Sequence, residues 1–152
     1  MGITVTGNAT VAQLTTIASA LNDGANTYNS LSDTAANVSG SAFRNSAIDI
    51  AATDAATVAQ GELIADATNT GTTTYAVSDS VAKIKANVAL LASTSKNGLA
   101  DASTITMKAV ATAADQVVTF DNLDTNAAAT TVNFVSDAAT MTVAELTAHN
   151  VT

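Results

Sequence analysis

The sequence predicts an α/β fold built by repetition, a solenoid with short parallel β-strands on one wall and short helices on another. Three observations predict it. The segment Ala9-Thr10-Val11-Ala12-Gln13 recurs letter for letter 47 positions on, at Ala56-Thr57-Val58-Ala59-Gln60, and a fixed period of this size marks a stacked array. Leu31-Ser32-Asp33-Thr34-Ala35 is echoed by Val77-Ser78-Asp79-Ser80-Val81 and again by Val135-Ser136-Asp137-Ala138-Ala139. Short β-type runs alternate with helix-type segments along the whole chain. Strands joined through helices run parallel, with right-handed crossovers.

The strand runs are Ile3-Thr4-Val5-Thr6, Thr27 to Leu31, Ile48-Asp49-Ile50, Thr73 to Val77, Thr104 to Met107 and Thr131 to Val135. Each is rich in β-branched residues and several alternate in polarity. In the first, Ile3 and Val5 face inward while Thr4 and Thr6 face out. Helical spacing joins Val11, Leu14, Ile17 or Ala18, and Leu21, and likewise Val81, Ile84, Val88 and Leu91. Weaker helical segments run from Ala55 to Ala67 and from Ala111 to Val118, and the last holds Val143, Leu146 and Val151.

Asn8, Asp33, Asp54, Asp79 and Asp137 stand at strand exits, where a side-chain oxygen caps the first helical amides. Gly24, Gly40, Gly71 and Gly98 stand at helix exits as left-handed caps and turns. The unit is therefore strand, polar cap, helix and turn. It occurs six times in one repeat domain spanning 1–152, as 3–26, 27–47, 48–72, 73–103, 104–130 and 131–152. One unit cannot bury its own apolar face, but stacked neighbours can. The alternative architecture is a β-solenoid with few helices.

Composition fits closely stacked small residues. Hydrophobic residues make up 47% of the 152 but aromatics only 3%, so Ala and Val dominate the apolar fraction. The chain has no proline, which would remove strand-ladder donors. Thirteen acidic residues against five basic ones give a formal charge of −8. Arg44, Lys83, Lys85, Lys96 and Lys108 are scattered, which argues against nucleic acid and anionic membrane surfaces as partners. No run of 18 apolar residues offers a membrane span, and no Lys- or Arg-led apolar leader opens the sequence.

The run Leu31-Ser32-Asp33-Thr34-Ala35-Ala36-Asn37-Val38 resembles the SDTAAN-type repeats of large bacterial extracellular surface proteins, the adhesins and S-layer-like proteins exported by type I secretion. Thr142-Val143-Ala144-Glu145-Leu146 and the two Ala-Thr-Val-Ala-Gln segments look like helix starts of such repeats. The resemblance implies an extracellular structural role, often with calcium and a C-terminal export signal. The chain departs from the pattern in lacking a Gly-Gly-x-Gly-x-Asp nonapeptide.

Catalytic chemistry is nearly silent. There is no cysteine, so thiolate nucleophiles, disulfides and thiolate metal sites are excluded. His149 is the single histidine and lies near the C-terminal end of the sequence, where a triad would lack support. No nucleophile elbow, phosphate loop or dinucleotide fingerprint occurs. Asp33, Asp79 and Asp137 share equivalent positions and read either as helix caps or as a calcium ladder of carboxylate oxygens. Asp121 and Asp124 flank Asn122 and Leu123 in what reads as a solvated turn. Thr4, Thr74, Thr104, Thr106 and Thr131 would project from neighbouring strands as a hydroxyl face, interrupted by Asn29 and Asp49, that suits ice or polysaccharide.

The resulting expectation is a non-enzymatic extracellular or cell-surface structural protein with no catalytic, cofactor or metal residues. It self-assembles head to tail into filaments or a surface layer, its partner being a second copy of itself. Thr10-Val11-Ala12-Gln13-Leu14 and Thr142-Val143-Ala144-Glu145-Leu146 share four of five letters, so the last unit looks like the first. A heterologous contact of that kind propagates. The alternative is an adhesin-type stalk or ligand-binding module for polysaccharide or an ice surface.

Overall fold

Five of the six β-type runs of the sequence become one strand each, the run Thr73 to Val77 divides between two strands of different sheets, and every pairing among the described residues is parallel. The computed structural model describes residues 1–88, 98–99, 101–108 and 131–134. It is a mixed α/β structure with parallel strands in two sheets and few helices. The strands are β1 (Thr4–Ala9), β2 (Thr27–Asp33), β3 (Asp49–Ala52), β4 (Thr73–Thr74), β5 (Val77–Ser80), β6 (Thr104–Lys108) and β7 (Thr131–Phe134). The first sheet has the order β1-β2-β3-β4 and the second β5-β6-β7. An isolated parallel bridge between Ala56 and Val77 links the segment after β3 to β5.

Register explains the alternation seen in the sequence. Ala9 pairs with Leu31 and Leu31 with Ile50, and all three are buried. Ala56, Val77 and Ile105 form a second inward row, each 0% exposed. Burying a Leu or Ile side chain fully contributes about 1.5–3 kcal/mol, so these rows fix the register. In β1 the register shifts between Val5 and Asn8, which takes Thr6 and Gly7 out of the ladder. Tyr75 and Ala76 separate β4 from β5, and the Tyr75 ring is buried.

Among the described residues, four helices follow strands: α1 (Val11–Ala18), α2 (Ala35–Gly40), α3 (Val58–Ala65) and α4 (Val81–Val88). A 3-10 turn, Ala42–Asn45, follows α2. Leu14, Val38, Ile64 and Ile84 are the deeply buried helix residues that reach the core. The expected continuation of the first helix to Leu21 does not occur; α1 ends at Ala18 and Leu21 is fully exposed. Leu91, the helical segment Ala111 to Val118 and the terminal segment with Val143 lie outside the described residues.

Two local expectations are corrected. The helix C-caps are Ser19, Ser41 and Asp66, in right-handed or extended conformation, not left-handed glycines. Gly98 is instead a close-approach glycine, since a Cβ there would sit 2.5 Å from the Glu62 nitrogen and 2.7 Å from the Val58 carbonyl oxygen. Asp137 lies outside the described residues, and neither Asp33 nor Asp54 is the local N-cap of the helix that follows it. That role belongs to Thr10, Thr34 and Thr57, while Asn8 lies within β1.

Candidate functional site

The acidic residues do something less local. Asp33, at the end of β2, accepts from the Val11 amide at 2.9 Å through Oδ2, and Val11 is the first residue of α1. Asp54, after β3, accepts from the first amide of α2, Ala35, at 2.6 Å. Asp79, in β5, accepts from the first amide of α3, Val58, at 3.0 Å. The starts of α1, α2 and α3 thus each have two caps: a hydroxyl from the helix's own segment, and a carboxylate from the strand segment that follows it in sequence. A negative charge at a helix N-terminus is favoured by the unpaired amides there.

The hydroxyl cap is reciprocal in α1 and α3. The Thr10 side chain accepts from the Gln13 amide at 3.3 Å, and the Gln13 side chain accepts from the Thr10 amide at 2.9 Å. Thr57 and Gln60 repeat the exchange at 3.2 and 2.8 Å. This capping box is written in the sequence as Thr-x-x-Gln. Asp33 Oδ1 also accepts from the Thr34 amide at 2.8 Å and from Asn37 Nδ2 at 2.9 Å. The Asn37 hydrogen bond, with the amides of Val11 and Thr34, holds the Asp33 carboxyl below its ordinary value, against a smaller opposing effect of desolvation.

These donors occupy both oxygens of Asp33 and of Asp79, whose Oδ1 accepts from the Ser80 amide at 2.8 Å. Asp137 of the expected calcium ladder lies outside the described residues, as do Asp121, Asp124 and His149. Among the described residues, no three His, Cys, Asp or Glu side chains come together as a metal site. Arg44 is turned inward to main chain, donating from Nη1 to the carbonyls of Ser39 and Ser41 at 2.9 and 2.7 Å. No helix of the described residues is long and apolar enough to cross a membrane.

The outward sheet face carries a shallow depression of about 190 Å³ lined by Asn8, Ser30, Asp49, Ala51, Thr72 and Thr74, with Leu31 and Ile50 beneath. Pairing places Asn8 beside Ser30 and Ser30 beside Asp49, so polar side chains cross the strands in one row. Of the expected threonine face, Thr4 and Thr74 are exposed, and Thr104 and Thr106 are half-buried in β6. Thr104 pairs with Thr131 of β7. Thr4 and Thr27 are paired, and the Thr27 hydroxyl donates to that of Thr4 at 3.3 Å.

A second hollow, of about 350 Å³, is lined entirely by residues of β1 and α1: Val5, Asn8, Ala9, Gln13, Thr16 and Ile17. β1 is terminal in its sheet, with β2 its single strand partner among the described residues. This hollow has no charged residue in its lining. No protein-family model, curated protein or solved structure matches the chain.

Proposed function

We propose that the chain is a non-enzymatic structural protein of the cell exterior, a single-domain α/β solenoid that assembles end to end with copies of itself into filaments or a surface layer. One observation carries the reading: strands adjacent in sequence pair in parallel, β1 to β2 to β3 to β4 and β5 to β6 to β7, while β1 keeps an open outer edge among the described residues. The Ala56–Val77 bridge links the segment after β3 to β5, which supports reading the two runs as one succession of layers. The 47-residue sequence period supports the solenoid, because α1 and α3 begin 47 positions apart on the same capping box. An open strand edge beside half-buried apolar residues invites another strand. The likeness of Leu31 to Val38 to surface-protein repeats supports the extracellular placement.

A second reading is an adhesin-type stalk that holds polysaccharide or an ice surface. The polar row of Asn8, Ser30, Asp49 and Thr72 on the outward face favours it.

Negative-stain microscopy and sedimentation of the purified chain separate the two. Long uniform fibres or sheets support assembly. A monodisperse 15.1 kDa species at all concentrations overturns it, and glycan-array or ice-recrystallisation activity of that monomer then supports the stalk.

A further inference from the structure

We infer that the hollow between β1 and α1 is the docking surface for the β7-bearing end of a second copy, and that Gly7 marks the one capping bond this junction lacks. The inference rests on the self-assembly reading above and adds which surfaces meet.

Helices α1 and α3 are the same element in two settings. Val-Ala-Gln-Leu-Thr-Thr-Ile-Ala in α1 corresponds to Val-Ala-Gln-Gly-Glu-Leu-Ile-Ala in α3. In α3, Val58, Ile64 and Ala65 are all buried. In α1, their identical counterparts Val11 and Ile17 are half-buried and Ala18 is exposed. Helix α3 packs on α2 and on α4, whereas α1 meets chiefly β2. The open side of α1 therefore suits a segment like the one that leads into α2.

That segment is Leu31-Ser32-Asp33-Thr34-Ala35. Its echo, Val135-Ser136-Asp137-Ala138-Ala139, directly follows β7 in the sequence. β7 in turn is terminal in the second sheet among the described residues. A second copy brought up by its β7 end would offer the α1 hollow the kind of sequence that leads into α2, the helix packed on α3. Chain charge agrees with this choice. Two copies at −8 repel each other, and a contact is least opposed where its lining is uncharged, as the hollow is.

Gly7 adds an independent mark. The residue 47 positions after it is Asp54, which caps the first amide of α2, the helix before it. Gly7 has no side chain to reach a preceding helix, and a Cβ there would meet nothing within 4 Å. The junction therefore lacks the carboxylate clamp present at the contacts made by Asp33, Asp54 and Asp79.

Three experiments test this on the full chain. Gly7→Asp should lower the critical concentration for assembly about five-fold, the value of one cap of ordinary strength, while the melting temperature of the unassembled chain stays put. Ile17→Lys should raise the critical concentration at least ten-fold, with circular dichroism confirming the fold. In this cysteine-free chain, Thr4→Cys mixed with Asn133→Cys and a short bis-maleimide should give cross-linked dimers that neither variant gives alone. Homodimers from Thr4→Cys alone would mean that β1 edges meet each other, and would overturn the inference. So would wild-type fibres that Gly7→Asp and Ile17→Lys leave unchanged; the self-assembly reading would survive both results. A wild-type chain that never assembles sinks that reading, and this inference with it.

Discussion

The Asp33 carboxylate bonds the amide of Val11, 22 residues earlier, at 2.9 Å. It joins the end of one strand to the start of the helix that follows the neighbouring strand. The same bond recurs from Asp54 to Ala35 and from Asp79 to Val58. Parallel strands place each strand exit beside the exit of its neighbour. A carboxylate there reaches the adjacent helix start as readily as its own, and the helix's own threonine takes the local amide. Removing Asp33 strips α1 of a cap made by another segment. Asp33→Ala should therefore lower stability by ~1 kcal/mol, read as an earlier midpoint in urea unfolding. Hydrogen exchange should show the loss at the first amide of α1, Val11, as well as at the Thr34 amide before α2, since Asp33 accepts from both.

The sign of the pH dependence follows from the same residue. Asp33 has a folded-state pKa below its ordinary value of 3.8, because Asn37 and two main-chain amides bond its ionised form. In the unfolded chain it returns to the ordinary range. Its contribution is therefore fully present above about pH 5 and is lost as pH falls below about 4, through the folded-state value. Melting temperatures measured from pH 6 to pH 2.5 should fall at the acid end. In Asp33→Asn that fall should be shallower, because the variant has already lost the titrating group. An identical acid slope in the two proteins would contradict the assignment.

Strand positions were legible because β-branched runs bounded by polar exits need little context: Thr27 to Leu31 and Thr104 to Met107 appear nearly as written. Capping was misassigned for a physical reason. Asp33 and Thr34 are adjacent and both are good cap formers. The sequence does not say which helix start lies within reach of the carboxylate until the strands are paired. A readable signal did exist in the Gln13 and Gln60 spacing from Thr10 and Thr57, which identifies threonine as the capping-box residue. Helix α2 carries a single large apolar residue, Val38, so no stripe announced it. The hollow beside α1 was visible in sequence only as a shared five-letter segment. The unequal burial of Ile17 and Ile64 depends on what packs beside each helix.

Gly40 and Gly98 should behave differently from one another. Gly40 is the last residue of α2, and a Cβ there meets nothing within 4 Å. Gly40→Ala should raise stability by ~0.5–1 kcal/mol by restricting the unfolded chain and improving helix propensity. Gly98→Ala forces a Cβ against main-chain atoms of Val58, Gly61 and Glu62. Main chain inside α3 cannot step aside like a side-chain tip, so this variant should lose more than ~1 kcal/mol. Thermal unfolding of the two variants side by side checks the contrast. Equal shifts would mean that neither glycine is set by its surroundings.

Tyr28 and Tyr75 stand 47 positions apart and answer the same substitution in opposite ways. The Tyr28 hydroxyl donates to the Phe43 carbonyl at 3.0 Å, and its ring meets the Phe43 ring edge-on at 5.8 Å. Tyr75 is 1% exposed, and its hydroxyl has no hydrogen-bond partner among the described residues. Burial, and then the charge of Asp101, push its pKa well above the ordinary value, so it stays neutral across any working pH. A buried hydroxyl without a partner costs about 1–3 kcal/mol of desolvation, whereas a made bond contributes about 1 kcal/mol. Tyr28→Phe should therefore destabilise by ~1 kcal/mol, and Tyr75→Phe should be neutral or stabilising, because its ring packing is kept while the unpaired oxygen is removed. Urea midpoints of the two variants decide it, and a loss at Tyr75→Phe as large as at Tyr28→Phe would mean that the Tyr75 oxygen is bonded in solution.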